Sequence, residues 1–102
     1  MIRHVVLLHW TPGATDEQHE AVLEALAALP AAIPEIDRYR VGTDLGLGEG
    51  NASLAVIADF ATIDDYTIYR DHPAHQAAIA TQIKPILAGR SALQYEFDPS
   101  TD

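Results

Sequence analysis

A chain of 102 residues, 48% hydrophobic and 21% charged, suits one globular domain with a modest core, too short for two domains and too apolar for disorder. Lys+Arg 6 against Asp+Glu 15, a net charge of −9, argues against binding nucleic acid or anionic membrane surfaces. The absence of cysteine and of any apolar run of about 18 residues excludes disulfide scaffolds, Cys-ligated metals and membrane spans, which leaves a cytoplasmic protein as the expectation.

Ile2 to Trp10 is β-branched and apolar and of strand length. It reads as a first strand rather than a signal peptide. Ile2, His4, Val6, Leu8 and Trp10 share one face; Arg3, Val5, Leu7 and His9 share the other. Val5 and Leu7 make that second face partly apolar, so both faces need cover. Thr11-Pro12-Gly13 turns the chain. Thr15 then opens a helix, with Gln18 completing a capping box and Asp16 and Glu17 at the positive end of the dipole. Val22, Leu23, Leu26 and Leu29 form its apolar stripe, and Pro30 and Pro34 stop it. Ile36 to Thr43 is a weaker strand carried by Tyr39 and Val41. Asp44 to Asn51 is a glycine-rich loop, and Leu54 to Phe60 is a strong strand.

Thr62 caps a second helix carrying Ile63, Tyr66 and Tyr69. His72-Pro73 breaks it, because the residue before a proline is pushed out of the α region. Pro73 suits the first turn of a further helix, which runs to Lys84-Pro85, with Gly89 as its C-terminal cap. Ser91 to Phe97 is the last strand. Residues 1–97 form one domain, and the polar tail 98–102 frays. The order β-α-β-β-α-β is the split-βαβ, ferredoxin-like motif, an α+β fold with four antiparallel strands under helices. The sheet's far face would lie bare in a monomer, and a second copy of the sheet would cover it.

The stretch from Tyr69 to His75 concentrates proton donors and acceptors at a helix break. Histidine can act as base or acid near neutral pH, and a tyrosine hydroxyl can hold a carbonyl oxygen. The competing reading makes His72 a helix cap and His75 a surface residue. His4 lies in an apolar strand, either as a hydrogen-bonded core group or as a partner of His75 across the gap between sheet and helices. His9 reads as structural and His19 as solvated. A zinc site from His4, His72 and His75 is disfavoured by the proline between the last two. Neither metal nor organic cofactor is expected. The Gly46 to Gly50 loop has no lysine and leads into a strand, so it lacks the helix N-terminus that would hold a phosphate.

Ile2 to Leu8, Tyr39 to Gly42 before a glycine-rich loop, the strand ending at Phe60, and Tyr66…Tyr69…His72-Pro73-Ala74-His75 together resemble the stress-responsive α/β-barrel domain family. The resemblance implies a ferredoxin-like protomer that pairs with a second copy into a dimeric α+β barrel. Most members have no assigned activity. One branch, the olivetolic acid cyclase-like proteins, closes a linear polyketide by aldol condensation without a cofactor. Carried over by motif, His75 matches the base, Tyr69 the carbonyl-holding donor and His4 a pocket partner. Tyr66, His72 and Trp10 are the remaining candidates for ligand contact. Three functions stay open: a cofactor-free enzyme of this kind, a binder of an apolar or aromatic small molecule, and a structural stress-response homodimer. A cleft of roughly 300 Å³ or more would favour the first two.

Overall fold

The computed structural model describes residues 1–102. Its strands are β1 (Ile2–Trp10), β2 (Arg38–Thr43), β3 (Leu54–Phe60) and β4 (Leu87–Glu96). Its helices are α1 (Asp16–Ala27), the short α2 (Leu29–Ala32), α3 (Ile63–Asp71) and α4 (Pro73–Ala78). The sheet order is β2-β3-β1-β4, with every neighbouring pair antiparallel. This is the ferredoxin-like α+β fold.

Alternation along the strands assigns the two faces. In the β1–β3 register His4 opposes Ala58, Val6 opposes Val56 and Leu8 opposes Leu54. Apart from His4, a buried polar residue, these inward residues join Val22, Leu26, Leu29, Ile33, Phe60, Tyr69, Ile83 and Ile86 in one buried core. Thr15 forms the expected capping box with Gln18, and the Thr62 hydroxyl accepts from the N–H of Asp65 to start α3.

The other face carries Val5, Leu7, Ile57 and Leu93, with Val5 opposite both Ile57 and Leu93. Leu7 is 40% exposed and Leu93 57%, so an apolar strip faces outward from the middle of the sheet. At its end Arg3 Nε and Nη2 donate to the two carboxylate oxygens of Asp59 at 2.8 and 3.0 Å. This pair is buried beside the Phe97 ring, 4.2 Å from the Arg3 guanidinium. Asp102 reaches the same guanidinium at 2.6 Å, so the tail expected to fray folds back over the sheet.

Four boundaries differ from the sequence expectation. Pro30, expected to stop the first helix, lies inside α2. β2 starts at Arg38 rather than Ile36. The helix beginning at Pro73 loses α geometry after Ala78, widens into a π turn over Ile79–Ile83 and tightens into a 3₁₀ turn over Lys84–Ile86. Pro85 sits in that last turn, and Leu87 is already extended at φ −79°, ψ 122°. β4 therefore begins at Leu87 rather than Ser91, and Gly89 is a strand residue opposite His9, not a helix cap.

Candidate functional site

The break between α3 and α4 builds the site. His72 takes an extended conformation, φ −63°, ψ 135°, as the steric demand of Pro73 requires. Proline has no N–H, and the N–H of Ala74 turns instead to His72 Nδ1 at 3.1 Å. The carbonyl of Arg70 is thereby released from the helical ladder. It accepts from His75 Nδ1 at 3.1 Å and from the Gln76 side-chain amide at 2.6 Å. A carbonyl can only accept, so the His75 proton sits on Nδ1 and Nε2 keeps its lone pair.

His4 has the opposite arrangement. The Gln94 side chain, opposite it on β4, donates to His4 Nδ1 at 2.8 Å. The neutral imidazole then carries its proton on Nε2. Burial, the Arg90 charge and His75 together push the pKa of His4 down to about 4. Burial also lowers His75, partly offset by the bond to the Arg70 carbonyl and reinforced by Arg90. Both rings are therefore neutral at pH 7.

Aromatic contacts tie these groups together. The ring centroids of Tyr69 and His75 are 4.1 Å apart, those of His4 and Tyr69 6.1 Å, and those of His4 and Tyr66 5.0 Å. Phe60 backs Tyr69 at 5.1 Å. The Tyr39 hydroxyl on β2 lies 3.5 Å from the Tyr69 hydroxyl. Burial raises the pKa of both phenols, which holds them as neutral O–H donors.

A cavity of about 190 Å³ opens among these residues, between the sheet and the segment from α3 to the 3₁₀ turn. His4, Tyr66, Tyr69 and His75 all line it, on an apolar floor that includes Val6, Leu8 and Val56. Three lining residues had no signal for this role in the sequence reading: Tyr39, Lys84 and Arg90. Strand alternation puts Tyr39 on the face of Val41, but nothing local marks its reach to Tyr69. Two candidates are corrected. His72 does not line the cavity, because its Nδ1 caps α4. Trp10 does not either: its indole N–H donates to His19 Nδ1 at 2.9 Å, drawing the ring to the far end of the sheet. His19, expected to be solvated, is half-buried and bridges Trp10 to the Thr43 hydroxyl at 2.9 Å. No group of three His, Cys, Asp or Glu side chains is placed to hold a metal ion. No helix is long and apolar enough to cross a membrane.

A ferredoxin-like α+β protomer with a histidine- and tyrosine-lined cavity between helices and sheet is the class this chain defines. The chain belongs to the stress responsive A/B barrel domain family, which it matches over residues 2–97. A dimeric ferredoxin-like protein of unknown function from Thermobifida fusca is 48% identical, with 94% of this chain and 90% of that one covered and a TM-score of 0.86. A dimeric protein of unknown function from Bacteroides fragilis is 30% identical, with 94% and 95% covered and a TM-score of 0.84. The hydroxynitrile lyase of Passiflora edulis shares the fold at 20% identity, with 96% and 94% covered and a TM-score of 0.82. No curated protein matches the chain.

Proposed function

We propose that this chain is a homodimeric enzyme that removes a proton next to the carbonyl group of a small, largely apolar molecule, using side chains alone. The observation that carries this reading is the pair of complementary imidazoles: His75 with its lone pair on Nε2, and His4 with its proton on Nε2. His75 takes the proton from carbon, and the C–H electrons pass to the carbonyl as an enolate. The Tyr69 hydroxyl and His4 Nε2–H hold the oxygen as its charge develops. Donors placed where charge develops contribute most in a site that excludes water. An enolate held in this way is also the nucleophile of a cyclase-type aldol closure. That a lyase shares the fold makes catalysis compatible with it, while fold alone does not select the reaction.

The reading is tested with acetophenone in D₂O, following methyl-proton loss by NMR. Exchange above the buffer rate, lost in His75→Ala, is the expected result; binding without exchange would replace catalysis by ligand binding. Cavity size favours the third reading, a structural homodimer: about 190 Å³ falls short of the roughly 300 Å³ that would favour an enzyme or a binder, so any occupant is small.

Pairing of two copies through the outward apolar strip is part of the proposal. It is supported by the exposure of Leu7 and Leu93 and by the dimeric description of the 48% identical relative.

A further inference from the structure

We propose that the cavity selects a small organic carboxylate, its hydrocarbon body on the apolar floor and its charge at a mouth formed by Arg90 and Lys84. This rests on the reading of the cavity as a ligand site and adds the class of ligand. The chain has Lys+Arg 6 against Asp+Glu 15, yet three of those cations, Arg70, Lys84 and Arg90, line this one cavity, and no Asp or Glu does. Arg70 is held by Asp71 at 2.9 Å, and Arg3 and Arg40 by Asp59. Lys84 and Arg90 have no ion-pair partner.

They reach the mouth from different elements. Lys84 opens the 3₁₀ turn that follows the π turn, and Arg90 stands on β4 opposite Leu8. Both are exposed while lining the cavity, which places their charges at its entrance. The imidazoles are neutral and supply no competing charge. A net charge of −9 repels anions at long range, but screening over about 8 Å at physiological ionic strength leaves the local cations to decide. Seven of the lining side chains are aliphatic: Val6, Leu8, Leu26, Val56, Ile79, Ile83 and Leu87. A hydrophilic dianion would leave that floor uncovered, whereas a monocarboxylate with a hydrocarbon body matches both parts.

The test compares benzoate with its neutral isostere benzamide, reading chemical-shift changes at His4, Tyr69 and His75 in the full chain. At low salt benzoate should bind about fivefold or more tightly than benzamide, the scale of one exposed ion pair. In the double variant Arg90→Gln, Lys84→Gln, and in 0.5 M NaCl, about the same affinity is expected for both. The two substitutions are at exposed positions, and benzamide affinity checks that the cavity survives. Equal affinity of the two probes in the wild type, or a preference that persists in the double variant, would overturn the carboxylate inference while leaving the cavity a ligand site. Failure of both probes to shift any of the three residues would overturn the ligand-site reading itself, and the inference with it.

Discussion

His75 Nδ1 donates to the backbone carbonyl of Arg70 across the break between α3 and α4, 3.1 Å away. The bond exists because the N–H of Ala74, which a continuous helix would give to this carbonyl, goes to His72 Nδ1 at the break that Pro73 imposes. A helix break written in the sequence thus fixes a tautomer, and the tautomer decides which nitrogen is basic. Nitrogen-15 shifts should report His75 as the Nδ1–H form at pH 7. Replacing Pro73 by Ala should let the helix run on, return the Ala74 N–H to the Arg70 carbonyl and mix the tautomers. If acetophenone exchange is catalysed, His75→Gln should reduce it by about 10²- to 10⁴-fold, the range for loss of a positioned base.

The two phenols should differ in weight. Tyr69 lines the cavity and is the phenol assigned to the developing oxyanion, so Tyr69→Phe should slow exchange by about 10²-fold. Tyr39 lines the cavity too but is assigned no contact with that oxygen, so Tyr39→Phe removes the group 3.5 Å from the Tyr69 hydroxyl. A loss of about tenfold or less is expected, through weaker polarisation of the Tyr69 hydroxyl. Rate constants of the two variants at saturating probe make the comparison.

Stability should fall in mild acid. The folded pKa of His4, about 4, is lower than its ordinary value of 6.5. Between those values the unfolded chain binds the proton and the folded chain does not, so folding is favoured as pH rises through the window. The contribution is full above pH 6.5 and is lost as pH falls toward 4. The loss is on the order of 1–2 kcal/mol after allowance for screening of a group that faces a solvent-connected cavity. Urea midpoints across this range should drop less steeply in His4→Phe than in the wild type, and the difference isolates His4 from the carboxylates.

Leu7 separates monomer from dimer. It is 40% exposed in the single chain, so in a monomer Leu7→Asp is a surface change worth about 0.5 kcal/mol or less. In a dimer closed by the outward strip, it would bury a carboxylate without a partner, at a cost of several kcal/mol. Light scattering at micromolar concentration should give twice the chain mass for the wild type and the single mass for Leu7→Asp. Circular dichroism should show that the variant still folds.

The elements that the sequence determined are those set by local chemistry. Alternation from Ile2 to Trp10 and from Leu54 to Phe60, the Thr15 and Thr62 caps, and the break at His72-Pro73 all depend on neighbours within a few residues. Together with element order they were enough for the ferredoxin-like fold. They also marked His4, Tyr69 and His75, residues whose side chains line one cavity. What the tertiary structure decided are properties of partners distant in the chain. Trp10 alternates onto the same strand face as His4, but a hydrogen bond to His19 takes its ring elsewhere. His72 adjoins the cavity in sequence yet turns back to cap α4. Tyr39 meets Tyr69 from 30 positions away, and Gln94 sets the His4 tautomer from 90 positions away. Lys84 and Arg90 become a cationic mouth only because the π and 3₁₀ turns deliver the chain early into β4. Periodicity tells which face a side chain leaves from; which hydrogen-bond partner it then finds depends on what the fold packs opposite, and no local pattern records that.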